Sequence, residues 1–211
     1  CSSLKGVAGC SAGCFTALAI LLGVSLDDLH NSFPLHNFMS GLTVDLQNSV
    51  SKLGAAPHNI IVEVAELILY HGGLSSSVTL EHLYRFTRKE CVIVCTSLTG
   101  CQRVYLTHRT HPHVRVVDAI TASCCIPGIF RPFIIDDEVM LDGNLLESIP
   151  TPFPMNETFH LVVGSRVPPT VSASKLNASS YLTAVLNIIT RYNEQLSAIP
   201  SHRRVVLETS M

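Results

Sequence analysis

The pentapeptide Gly9-Cys10-Ser11-Ala12-Gly13 constrains this chain more than any other stretch. It has the pattern G-x-S-x-G. Ahead of it runs Leu4-Lys5-Gly6-Val7-Ala8, short and mostly apolar. Behind it comes Cys14-Phe15-Thr16-Ala17-Leu18-Ala19-Ile20-Leu21-Leu22, helix-forming and free of breakers. The serine therefore falls where a buried strand turns sharply into a buried helix, the setting of a nucleophile elbow. Gly9 and Gly13 lack a Cβ, so strand and helix can approach closely. The helix N-terminus turns its free N–H groups toward the site, where negative charge would develop. The pentapeptide by itself reads equally as a small-residue turn before a core helix; its setting favours the elbow.

Apolar residues make up 47% of the 211 and charged residues 14%, which suits a sheet buried on both faces. A chain of this length is read as a single domain, residues 1–211, with a substantial core. The formal net charge is −2 and no basic stripe is present, so nucleic acid is not an expected partner. No apolar run reaches the roughly 18 to 20 residues of a membrane-spanning helix. The eight cysteines show no recurring C-x-x-C pair. They read as reduced, buried, structural thiols in an intracellular setting, with no metal site. Cys10 is the one to watch, because it adjoins Ser11.

The periodicity predicts helices over Ser11 to Gly23, over Ser25 to about Phe33, weakly over Val44 to Leu53, over Asn59 to Tyr70, over Leu80 to Arg88 with Thr79 as cap, over Val114 to Ser123, and over Tyr181 to Leu196. Strands are predicted at Cys91 to Thr96, read as central from its apolar run, and at Arg103 to Leu106. A hairpin follows, Phe133 to Ile135 and Val139 to Leu141 around Asp136-Asp137. Phe159 to Val163 is read as a core strand and Arg204 to Leu207 as a last one. This alternation points to an α/β fold with a largely parallel central sheet.

A serine hydroxyl near neutral pH needs a base within reach and an oxyanion hole. Val139-Met140-Leu141-Asp142-Gly143-Asn144 sets an aspartate at a strand end, with glycine next to it. Asp-Gly alone is a common turn. Combined with the elbow, it makes the chain resemble the patatin-like phospholipases. That family pairs the serine of G-x-S-x-G with the aspartate of a D-G-G or D-G-A motif, without histidine. Ser11 and Asp142 fall on those positions. Val117-Asp118-Ala119-Ile120-Thr121-Ala122-Ser123, Ile126-Pro127 and Phe130-Arg131-Pro132 resemble the family's helix and loop ahead of the aspartate. Cys95-Thr96-Ser97-Leu98-Thr99-Gly100 resembles its preceding strand and turn.

The resemblance implies a three-layer α/β/α fold and a lipid acyl hydrolase of phospholipase A or esterase type. It implies Ser11 as nucleophile, Asp142 as base, no cofactor, and a phospholipid substrate met at a membrane or micelle surface. Such a base works best where burial raises its pKa. Asn144 stands where the family has Gly or Ala, and Ser148 where many members have asparagine. The family's glycine-rich oxyanion loop lies upstream of the elbow, and no counterpart occurs within this chain; Gly72-Gly73 follows a helix. The Ala12 N–H supplies one donor. Since the first residue is Cys and the first strand leads straight into the elbow, the chain reads as truncated at its N-terminus, with any targeting signal upstream.

Two other readings stay open. One is a Ser-Asp-His esterase, since His160 and His202 follow Asp142 in chain order. The other is a catalytically weak domain acting as a lipid-binding or interaction module, for which the missing loop argues. His108, His111 and His113 cluster in H-x-H fashion but read as a solvated loop. Arg103 and Arg131 are candidates for a phosphate headgroup and read better as ordinary surface charges. Phe33, Leu35, Phe38 and Met39 could form an apolar approach for lipid or simply pack in the core. Nothing in the sequence assigns an oligomeric state.

Overall fold

The computed structural model describes residues 4–32, 54–154, 157–165, 185 and 201–209. Two compact units divide the chain, Cys1–Gly143 and Asn144–Met211. The helix predicted over Val44 to Leu53 lies outside the described residues, as does all but Val185 of the one predicted over Tyr181 to Leu196. Among the described residues no helix is long and apolar enough to cross a membrane.

The first unit opens with β1 (Gly6–Cys10) and α1 (Gly13–Leu22). The helix begins two residues later than predicted, because Ser11 and Ala12 form the turn itself. It stops where Gly23, at φ +70°, takes the left-handed conformation and Val24 N–H closes on the Ala19 carbonyl at 2.9 Å. Ser25 accepts the Asp27 and Asp28 N–H groups and so opens α2 (Leu26–Ser32). After β2 (Gly54–Ala56) comes α3 (Asn59–His71), whose apolar stripe buries Ile60, Ile61, Ala65, Ile68 and Leu69. Thr79 accepts the His82 N–H and opens α4 (Leu80–Thr87).

β3 (Glu90–Ser97) is buried from Cys91 onward, and β4 (Gln102–Leu106) follows it. α5 (Val116–Ser123) starts later than predicted. Val114 instead lies at a bend and Arg115 is extended: Leu80 N–H donates to the Val114 carbonyl, and Val116 N–H to that of Val78. β5 (Gly128–Phe130), β6 (Phe133–Ile135) and β7 (Glu138–Asp142) complete the unit, with the β6–β7 hairpin turning at Asp136 and Asp137, both at positive φ.

The central sheet is mixed, in the order β1-β3-β7-β6 with β4 also on β3, and helices flank it. Only β1 and β3 run parallel there; β3–β4, β3–β7 and β6–β7 are antiparallel. This corrects the expectation of a largely parallel sheet. For β3–β4 and β6–β7 the reason lies in the connections: Leu98–Cys101 and Asp136–Asp137 are too short for the dozen-residue crossover that parallel neighbours need. A second, two-stranded sheet joins β2 to β5 in parallel, with Ala56 opposite Phe130.

Register explains how the sheet serves one point. β1 pairs with Glu90–Val94 and β7 with Cys95–Ser97, while β4 spans Ile93–Ser97. Each strand has two edges, so β1 and β7 share the edge of β3 that β4 leaves free. They run toward one another along it. Cys10 stands opposite Val94 and Asp142 opposite Cys95, so the two strand ends meet there. The core around the junction is apolar, with Leu18, Ile68, Leu69, Leu83, Leu106, Val116 and Ile120 at 1% exposure or less. Each such aliphatic side chain contributes about 1.5–3 kcal/mol by leaving water.

The second unit contains β8 (His160–Ser165) and β9 (Arg204–Thr209), paired in parallel in a sheet of their own. The prediction of a core strand at Phe159 to Val163 holds for its extended conformation but not for its setting. Phe159 lies before the strand and is 63% exposed, and Leu161, opposite Val205, is 44% exposed. A two-stranded sheet has no central strand, so an apolar run in it need not be buried.

Candidate active site

Ser11 is the residue between a strand end and a helix start, and its backbone bears the strain of that position. Its φ is +51°, a left-handed conformation that side chains other than glycine's rarely adopt. Gly9 permits the sharp turn: an added Cβ there would lie 2.5 Å from the Cys14 Cα. At Gly13 an added Cβ would meet nothing within 4 Å, so this glycine is not required by close approach.

Asp142 ends β7 and is 2% exposed; Ser11 is 9% exposed. The Ser11 hydroxyl donates to Asp142 Oδ2 at 2.6 Å. That length is at the short end for a hydroxyl hydrogen bond. The two residues are 131 positions apart in sequence, and the shared edge of β3 brings them together. Gly143 is needed beside them, since an added Cβ would lie 2.4 Å from the Val94 carbonyl oxygen and 2.8 Å from Cys10 Sγ. The Ala12 N–H is the first after the serine, at the start of α1, and Ala12 is exposed.

Sequence reasoning missed the residues that hold this pair. Ser123, the last of α5, is fully buried. Its Oγ accepts the Ser11 N–H at 2.9 Å and the Cys14 thiol at 3.3 Å, and donates to the Val94 carbonyl at 2.6 Å. Leaving a buried group of this kind unpaired costs about 1–3 kcal/mol. Two residues further on, the Cys125 carbonyl accepts the Asp142 N–H at 2.9 Å. Nothing local in T-A-S-C-C reveals this, since the partners lie far away in sequence.

Burial raises the pKa of five thiols in the core around the site. Desolvation pushes Cys91 and Cys125 up to about 12, and Cys14, Cys95 and Cys124 well above the ordinary thiol range. All seven described cysteines are free, and no group of three metal-binding side chains occurs among the described residues.

The other candidates disperse. His108 stacks on Tyr84 with ring centroids 3.7 Å apart and faces Glu90 at 3.2 Å. His113 pairs with Asp136 at 2.9 Å, and His111 bonds Thr110. The Arg103 guanidinium lies 5.5 Å from the centroid of the Tyr105 ring, and the Arg131 carbonyl accepts from His58 Nε2. His160 is buried in the second unit, where desolvation lowers its pKa, while His202 is exposed. Phe33, Leu35, Phe38 and Met39 lie outside the described residues.

Three comparisons bear on this arrangement. The family model described as patatin-like phospholipase matches residues 3–154. The probable lipid hydrolase 463L of Invertebrate iridescent virus 6 is 25% identical over 77 residues, 36% of this chain and 27% of the viral protein. The crystal structure of VipD from Legionella pneumophila superposes with a TM-score of 0.56 and 13% identity, covering 97% of this chain and 55% of VipD. At that identity the likeness to VipD is one of fold, and this chain spans about half of VipD's length. With a match across most of its residues, the chain belongs to the patatin-like phospholipase family.

Proposed function

We propose that this chain carries the catalytic centre of a lipid acyl hydrolase working through a Ser11–Asp142 dyad. The observation that carries the reading is the buried 2.6 Å hydrogen bond from Ser11 Oγ to Asp142 Oδ2. In a Ser-His-Asp triad an imidazole stands between hydroxyl and carboxylate. Here the hydroxyl proton already points at the carboxylate, so the carboxylate serves as base directly.

The steps follow from that geometry. Ser11 Oγ attacks the ester carbonyl as Asp142 takes its proton. The carbonyl oxygen becomes an oxyanion, which the Ala12 N–H and the N-terminal end of α1 stabilise. Collapse expels the alkoxide, and Asp142 returns the proton to it. Asp142 then deprotonates water, which attacks the acyl-enzyme and frees Ser11. A glycine-rich loop of the family's type would add oxyanion donors; each is worth about a hundredfold or more in rate.

The substrate class is a lipid or phospholipid ester taken from a membrane or micelle surface. Support comes from the family and from the viral relative's description as a probable lipid hydrolase. The test is hydrolysis of phospholipid micelles and of a soluble short-acyl ester, with mass analysis for an acyl adduct. Acyl transfer to Ser11 and loss of turnover in Ser11→Ala are expected. Turnover unchanged in Ser11→Ala would overturn the reading.

A further inference from the structure

We propose that the three residues Ser123–Cys125 at the end of α5 are the positioning element that sets the distance between the nucleophile and the base. The inference rests on the dyad reading and goes beyond it, to a segment that touches neither substrate nor reacting atoms.

Ser11 is held in a left-handed conformation that a serine does not choose unaided. Its N–H is held instead by Ser123 Oγ at 2.9 Å. That oxygen is fully committed: it accepts from Ser11 N–H and from the Cys14 thiol, and its one proton goes to the Val94 carbonyl. A hydroxyl with all three positions used has a single orientation. At zero exposure no water reaches it as a substitute. The Val94 carbonyl lies where β1 and β7 meet along β3, so Ser123 ties the elbow to the sheet at that junction.

The same segment holds the other partner. The Cys125 carbonyl accepts the Asp142 N–H at 2.9 Å. One turn thus grips the backbone of both dyad residues, by a side chain on one side and a main-chain carbonyl on the other. Cys124 N–H bonds back to the Ile120 and Thr121 carbonyls and Cys125 N–H to that of Ala122, so the turn is a rigid continuation of α5. When Ser123 loses its oxygen, the Ser11 amide is released and its hydroxyl drifts from Asp142, while the substrate surface is untouched.

The experiment is phosphonylation of the full chain by an alkyl fluorophosphonate. In that reaction the Ser11 oxygen bonds phosphorus, fluoride leaves, and the hydroxyl proton passes to Asp142. Ser123→Ala is expected to label about tenfold to a hundredfold more slowly than the parent. Its kcat on a short-acyl ester falls by the same factor, with KM within about threefold. A purely structural role would lower the melting temperature and leave the labelling rate of the folded fraction unchanged, and that result overturns the inference. Should Ser123→Ala not fold, Ser123→Cys carries the test: sulfur fills the site but accepts weakly, so slowed labelling supports the inference and parental labelling overturns it. Ser11→Ala and Asp142→Asn run alongside. If Asp142→Asn labels at the parental rate, the dyad reading falls and this inference with it. If both dyad variants are silent and Ser123→Ala is not slowed, the inference alone falls.

Discussion

Gly143 stands so close to Val94 that an added Cβ would lie 2.4 Å from the Val94 carbonyl oxygen. The contact marks the point where β1 and β7 meet along β3. Gly143→Ala is expected to force these strand ends apart. Overpacking of this kind costs about 1–3 kcal/mol, a fall in melting temperature of about 2–4 °C per kcal/mol at this size. Gly9→Ala should behave alike, with its Cβ 2.5 Å from Cys14 Cα. Gly13→Ala, with open space around its Cβ, should melt at or above the parent temperature. Thermal melting of the three variants checks the order.

Much of this site is legible in the sequence because its signals are local. The elbow at Ser11, the strand end at Asp142 and the turn at Asp136-Asp137 each depend on a few neighbouring residues. The directions of β3–β4 and β6–β7 are legible too, since the Thr99-Gly100 and Asp136-Asp137 turns are too short to join parallel strands, whereas that of β3 against β7 has no local signal. Ser123 was beyond reach: a serine ending an apolar helix looks like filler until the Ser11 amide is placed beside it. Likewise, the short β2–β5 pairing links Gly54–Ala56 to Gly128–Phe130, and three-residue strands carry no period of their own.

Thiol reactivity separates Cys101 from the other described cysteines. It alone among them is exposed, while desolvation pushes Cys91 and Cys125 up to about 12 and Cys14, Cys95 and Cys124 well above the ordinary range. At mildly alkaline pH the buried thiols stay protonated, and the thiolate is the reactive form. Iodoacetamide on the folded protein should therefore modify Cys101, and Cys101→Ser should remove that adduct; Cys1 lies outside the described residues. Peptide mapping that finds Cys10, Cys14 or Cys125 alkylated as fast as Cys101 would contradict this packing.

His160 gives stability a pH dependence with a definite sign. Burial lowers its pKa, and its Nε2 has no hydrogen-bond partner among the described residues. As pH falls below the unfolded value of about 6.5, the unfolded chain takes up a proton that the folded chain refuses. Stability is therefore lost as pH drops from there to the lower folded pKa. His160→Gln should flatten that part of the profile. Chemical denaturation across the range measures it, and an equally steep profile in the variant would show that His160 is not the group responsible.

Thr79 tests the fold without touching the site. Its hydroxyl accepts the His82 N–H at 3.3 Å and caps α4. Thr79→Ala should cost about 1 kcal/mol, with esterase activity unchanged below the melting transition.

In the proposed dyad one carboxylate does the work of a base unaided by histidine. The most direct measurement is kcat of folded Asp142→Asn on a short-acyl ester, beside His160→Gln and His202→Gln. Asparagine keeps the shape but cannot take the Ser11 proton, so kcat should fall by about a hundredfold to ten-thousandfold, while both histidine variants retain activity. If Asp142→Asn turns over at the parental rate and either histidine variant is inactive though folded, the dyad is wrong and a Ser-Asp-His mechanism replaces it.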